Sequence, residues 1–168
     1  MTLNSSIFAD TETGREVRIR VEGKGSFQCS PALKEFSRKM IEEGRREFVI
    51  DLKDCPAMDS TFMGTLAGIA TRIREAGGGD LWVVNRNERN TELLAGLGLD
   101  ALFSEKPAPV ELNGGKAEPV HHVADKDTTR AVMHEAHTIC VEVNPKNAEK
   151  FKDVLETLKA SAAKAGQS

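Results

Sequence analysis

The stretch from Phe48 to Gly64, FVIDLKDCPAMDSTFMG, constrains the fold of this chain more than any other. Phe48, Val49 and Ile50 put three apolar residues in succession. Continuous rather than alternating hydrophobicity is the mark of a strand buried on both faces, as in a sheet with at least one parallel pairing. A short polar loop follows, and then a serine stands where a helix begins. Beyond it Phe62, Leu66, Ile69 and Ile73 recur at spacings of four, three and four, which is one face of a helix. Gly64 and Gly68, one turn apart, are expected to let that helix approach the sheet closely.

The flanking segments fit the same architecture. Val17 to Val21 alternates apolar and basic residues, the pattern of a strand with one buried face. Ile7 and Phe8 precede it, and Gly14 lies between, which predicts a strand, turn, strand opening. Gly23-Lys24-Gly25 breaks the pattern. Ser30-Pro31 reads as a helix start, with a side-chain cap and a first-turn proline. Leu33, Phe36 and Met40 form that helix's apolar stripe, and Gly44 ends it. Gly77-Gly78-Gly79 stops the helix that follows Ser60. Leu81 to Val84 is another short strand, and Asn90 is expected to cap a brief helix carrying Leu93, Leu94 and Leu97, closed by Gly98. Leu102-Phe103 reads as a last edge strand. Strands alternating with helices imply an α/β fold, a small mixed sheet flanked by helices.

Composition changes at Lys106. The segment KPAPVELNGGKAEPVHH holds three of the six prolines and two adjacent glycines, as a linker or irregular wrap would. Beyond it Val132, Ala136, Ile139, Cys140 and Val143 form one helical stripe, and Asn144-Pro145 resets the chain. Ala148, Phe151, Leu155, Leu158 and Ala162 form a second stripe. The expected organisation is a domain over residues 1–105, a Pro/Gly linker over 106–124 and a helical C-terminal extension over 125–168. The extension's apolar seams need a partner: the domain's own surface, a second copy in a homodimer, or another protein.

Several function classes fall away. The 168-residue chain has a net charge of -3, which gives no bulk attraction to nucleic acid or an anionic membrane. Cys29, Cys55 and Cys140 are widely spaced and odd in number, so reduced buried thiols are expected. The N-terminus lacks the pattern of a signal peptide, and the apolar middle is shorter than the ~20 residues of a membrane span. A cytoplasmic protein is the expectation. The histidines at 121, 122, 134 and 137 fall short of H-E-x-x-H spacing, so no metal is expected. Glycines 77–79 lie between helix and strand, the reverse of a phosphate cradle, and no cofactor is implied.

The sequence IDLKDCPAMDSTFMGTLAGI resembles the STAS domain of bacterial anti-sigma factor antagonists. The resemblance continues in VVNRNERNTELLAGLGLDALF and covers roughly residues 7 to 103. It implies a STAS-like fold and a role in transcription regulation. In that family the serine after the aspartate is the switch; the matching residues here are Asp59 and Ser60. The implied partners are an anti-sigma factor that is also a serine protein kinase, binding the unmodified protein, and a serine phosphatase that restores binding. Ser60 is then the phosphoacceptor, with Thr61 a less favoured one, and Asp59, Thr61, Phe62 and Met63 shape the partner-binding surface. Family members commonly read Asp-Ser-Ser/Ala-Gly-Leu-Gly, so Phe62 stands where a glycine is usual. It either turns into the core or reshapes the docking surface. STAS modules also serve as scaffolds or accessory subunits in stress-signalling and transport complexes, and here the helical tail would then be the binding device.

Ser60 falls at the cap or first turn of its helix, where backbone N–H groups lack partners and an anion is tolerated. Its hydroxyl is expected to cap the helix when unmodified. With Asp51, Asp54 and Asp59 close in sequence, added phosphate would act on the interface rather than unfold the domain. A serine nucleophile is the rival reading, but G-x-S-x-G is absent and no histidine occurs before position 121. A tail histidine would have to fold back across the domain to serve as base, so no enzyme is expected.

Overall fold

The structure is a computed structural model describing residues 5–12, 16–107, 117–121 and 124–165. Its strands are β1 (Ser6–Asp10), β2 (Glu16–Glu22), β3 (Glu47–Asp54), β4 (Asp80–Val84) and the two-residue β5 (Glu118–Pro119). They form one mixed sheet in the order β4-β3-β2-β1-β5. The helices are α1 (Ser30–Glu42), α2 (Ser60–Glu75), α3 (Glu88–Gly96), α4 (Lys126–Val143) and α5 (Asn147–Ala165). The expected α/β architecture with C-terminal helices is present. The turn expected at Gly14 lies outside the described residues.

The sheet's topology decides where everything else goes. β2, β3 and β4 are parallel neighbours, whereas β1 is antiparallel to both β2 and β5. The crossovers through α1 and α2 step the same way along the sheet. Right-handed connections stepping one way put both helices on one face. There Val17, Ile19 and Val21 of β2 and Phe48, Ile50 and Leu52 of β3 pack with Leu33 of α1 and Phe62, Leu66, Ile69 and Ile73 of α2. The other face carries the alternate residues, among them Arg18, Arg20, Asp51, Val49 and Trp82. Val49 and Trp82 are nevertheless buried, and the Trp82 indole N–H donates to the Lys106 carbonyl at 3.0 Å. Residues 104–107 therefore pass over this second face at the β4 edge.

Three local expectations change. The α1 cap is Cys29, whose side chain makes no capping bond; Ser30 lies one residue further in and donates its hydroxyl to the Ser26 carbonyl at 2.8 Å. The α3 cap is Asn87, which accepts from the Asn90 N–H at 2.7 Å. Asn90 is buried, and its own side-chain amide donates to the Cys55 carbonyl at 2.8 Å. In place of an edge strand at Leu102-Phe103 there is a 3-10 turn over Asp100–Leu102. A single ladder-like bond follows it, from Ser104 N–H to the Leu81 carbonyl at 2.8 Å.

The glycine pair of α2 also faces a different neighbour from the one expected. A Cβ at Gly64 would come within 2.3 Å of the Ala136 carbonyl oxygen, and one at Gly68 within 3.0 Å of Ile139 Cδ1. Both contacts are to α4, not to the sheet. At ~100° per residue, Gly64 lies about 200° around the helix from Phe62, so a stripe that meets the sheet leaves the glycines on the far side. Thr61 to Ala70 are all buried, so α2 is the middle of three layers, between the sheet and α4.

Phe62 turns into the core. It is fully buried, and its ring lies so close to Gly25 that a Cβ there would come within 2.7 Å. Truncating such a ring leaves a cavity under the 23–29 loop. Phe62→Ala is expected to cost about 3–5 kcal/mol, read as a lower urea midpoint at unchanged m-value.

The Ser60 site, a candidate functional site

Asp59 is the helix cap, and it holds two segments together. Its Oδ1 accepts from Phe62 N–H at 2.8 Å, capping α2, and its Oδ2 accepts from Phe27 N–H at 2.8 Å in the 23–29 loop. The loop is fixed again by the Asp59 N–H donating to the Gly25 carbonyl at 2.8 Å. Ser60 is thus the first helical residue rather than the cap, and α2 does not need its hydroxyl for capping.

That hydroxyl is used elsewhere. Ser60 Oγ lies 2.8 Å from Nε2 of His137, one of the tail histidines, carried here by α4. The other ring nitrogen, Nδ1, lies 2.6 Å from the Met133 carbonyl, which can only accept. In the neutral ring Nδ1 therefore carries the proton, and Nε2 accepts from the serine hydroxyl. His137 is 3% exposed and its ring meets that of Phe151 of α5 edge-on, with centroids 4.8 Å apart. The tail has folded back, bringing a histidine to a serine 77 residues away.

Two further sets of contacts seat α4–α5. Glu135 of α4 pairs with Lys34 of α1 and, at 2.7 Å, with Arg72 of α2. Both pairs are partly exposed, so each contributes under about 1 kcal/mol, but together they fix the rotation of α4 over α1 and α2. At the other end the buried Asn147 donates to the carbonyls of Leu97 and Cys140, each at 2.9 Å, and Lys150 donates to Gly96 at 2.9 Å. The end of α3 thus receives donors from α5.

Comparison with curated proteins gives no match. A family model described as the STAS domain matches residues 8–117. The chain belongs to the STAS domain family. The crystal structure of a candidate anti-sigma factor antagonist from Thermotoga maritima is similar in fold, with a TM-score of 0.53 and 20% identity over 57% of this chain and 82% of that one. The NMR structure of that Thermotoga protein gives a TM-score of 0.51 and 17% identity over 61% of this chain and 78% of that one. The STAS match ends before α4, so the histidine that meets Ser60 comes from outside it.

Within this STAS domain the residues singled out from sequence are placed unevenly. Asp59 and Ser60 are partly exposed, whereas Thr61, Phe62 and Met63 are buried. Asp51 points from the opposite face of the sheet and accepts from Asn85 Nδ2 at 2.9 Å, and Asp54 is exposed at the end of β3. Only Asp59 of the three aspartates touches the α2 terminus. Sequence reasoning missed two residues. One is His137, which alone of the tail pair falls on the Val132–Ala136–Cys140 side of α4. Phe27, 42% exposed, lies beside Asp59 in a loop whose composition gave no signal.

No group of three or more His, Cys, Asp or Glu side chains among the described residues is arranged to hold a metal ion. No helix among them is long and apolar enough to cross a membrane. All three cysteines are free and buried, and burial pushes the Cys140 thiol up to about 11. Below that pH Cys140 is protonated and unreactive while α4 stays seated.

The Gly64 contact makes a prediction. Gly64→Ala improves helix propensity by about 1 kcal/mol yet puts a methyl into the α4 backbone. The expected result is a net loss of about 1–3 kcal/mol, with faster hydrogen exchange in α4 and unchanged protection in β3.

Proposed function

We propose that this STAS protein is a phosphorylation-gated protein-binding switch of the anti-sigma factor antagonist kind, with Ser60 as phosphoacceptor. The observation that carries the reading is the division of labour at the start of α2. Asp59 caps the helix with its own carboxylate, so the neighbouring hydroxyl can be modified without removing the cap. The free N–H groups and dipole of a helix N-terminus tolerate the added charge of about -1.5 to -2. Thr61 is the less favoured acceptor because it is 3% exposed. STAS membership and the fold shared with the Thermotoga protein support the assignment.

The partner is an anti-sigma factor that is also a serine kinase, and it binds while Ser60 is unmodified. Its docking surface centres on Asp59, the exposed ring of Phe27 and the side of Ser60 that α4 leaves open, shaped from beneath by Thr61, Phe62 and Met63. In the transfer Ser60 Oγ attacks the γ-phosphorus of a nucleoside triphosphate held by the kinase. The new O–P bond forms as the bond to the diphosphate breaks, and the hydroxyl proton passes to the kinase's base. A serine phosphatase reverses the modification by hydrolysis. Phosphopeptide mapping of the protein from its native cell, with Ser60→Ala alongside, is expected to find phosphate on Ser60 and none in the variant. A chain unmodified through growth and stress would move the reading to a constitutive scaffold.

One observation favours a second reading: a serine hydrogen-bonded to a histidine is the core of a nucleophilic site. Here Nδ1 meets a backbone carbonyl rather than a carboxylate, so the orienting third group of a triad is missing. Clefts of about 420 and 390 Å³ lie between α4 and α5 and beside β1, and neither is lined by Ser60. The pair acts as a structural contact between α2 and α4. An alkyl fluorophosphonate is accordingly expected to leave Ser60 unlabelled in the native protein; stoichiometric labelling would establish the nucleophile.

A further inference from the structure

The face of α2 that carries Ser60 is already occupied. From Ser60 onward one side of the helix presents Gly64 and Gly68, and α4 lies against it so closely that neither glycine can carry a Cβ without displacing α4 atoms. The occupant is a segment of this same chain: α4, held by α5 behind it. Its Ala136 backbone meets Gly64, its Glu135 reaches Lys34 and Arg72, and its His137 closes on the Ser60 hydroxyl. The hydroxyl hydrogen is committed to Nε2, and the ring's N–H is on Nδ1, turned to the Met133 carbonyl.

We infer that the α4–α5 hairpin is an internal cover of the Ser60 face, and that a phosphoryl group on Ser60 and a seated α4 exclude each other. This rests on the reading of Ser60 as the phosphoacceptor and adds what the modification does to the rest of the molecule. Two steric features argue for the exclusion. A phosphoryl group on Oγ needs space that the His137 ring holds at hydrogen-bond distance. One turn on, the Gly64–Ala136 backbone contact leaves α4 no room to settle closer and absorb the change.

The consequence runs in both directions, because coupled equilibria are reciprocal. A kinase acts on the fraction of molecules whose hairpin is off, and the modified protein stays open. Release uncovers the α2 glycine stripe and the Val132–Ala136–Cys140 side of α4 together, two apolar surfaces that the resting chain hides. The phosphorylated state is then a second binding-competent form with a different surface.

Cys140 reports the event. It is fully buried and lies on α4, whereas Cys29 caps α1 and Cys55 follows β3, both outside the hairpin. The experiment uses the full chain with phosphoserine installed at position 60 during synthesis, compared with the unmodified chain. Each is pulsed with iodoacetamide under native conditions and the three cysteines are quantified by peptide mass spectrometry. Cys140 labelling is expected to rise at least tenfold in the phosphoserine protein while Cys29 and Cys55 keep their protection. Hydrogen exchange is a second readout, with amides of residues 126–143 exchanging faster and those of β3 unchanged. Equal protection of Cys140 in both proteins would overturn the inference, since His137 would then have accommodated the phosphate, and a rise at all three cysteines would overturn it as global unfolding. The result does not depend on any cellular kinase. Protected Cys140 therefore removes the coupling and leaves the Ser60 switch standing, whereas an absence of phosphate in the native cell removes the switch alone.

Discussion

The contact on which the rest depends is the one between Gly64 and the backbone of Ala136. It lets two helices approach until the carbonyl of one occupies the space of a side chain on the other. Everything around Ser60 follows from that approach. Were α4 held further out, His137 would miss the hydroxyl and Glu135 would lose Lys34 and Arg72. The sheet supplies stability by burying the other side of α2, but the sheet alone does not define the surroundings of the serine. Those are made by a layer that the STAS match does not reach.

Asp59 links the site to the fold. Each of its oxygens takes a backbone N–H, one from α2 and one from the preceding loop. The carboxylate thereby frees the serine from capping and fixes the loop that carries Phe27. An Asp-Ser pair at a helix start is common because either residue can cap. Here the aspartate takes the cap and leaves the hydroxyl its own partner.

Most of the sheet-side architecture was legible because it rests on local signals. Three apolar residues at Phe48 to Ile50 predicted parallel neighbours, and β3 lies between two. The 4-3-4 spacing after Phe62 gave the inward face of α2. What failed were single-residue readings in competition with a neighbour. Ser30 and Asn90 are good caps, but Cys29 and Asn87 begin their helices; Ser30 turns back to the Ser26 carbonyl and Asn90 reaches across to the Cys55 carbonyl. The glycines of α2 do not face the sheet as expected, because their angular position opposite the apolar stripe places them on the far side. That same geometry, set beside a tail with unpartnered apolar stripes, was the one signal in the sequence pointing to a helix across α2. The Ser60–His137 bond had no such signal, because it depends on how two helices cross and not on any spacing along the chain.

The chain holds one tryptophan, and its position divides the molecule spectroscopically. Trp82 lies on the sheet face opposite α2, buried and tied to the Lys106 carbonyl, with the whole sheet between it and α4. Its emission therefore belongs to the sheet: it responds when the domain melts and stays silent when only the hairpin moves. Fluorescence and far-UV dichroism should then part company wherever the tail loosens first. A melting curve followed by tryptophan alone would pass over any early transition in α4 and α5.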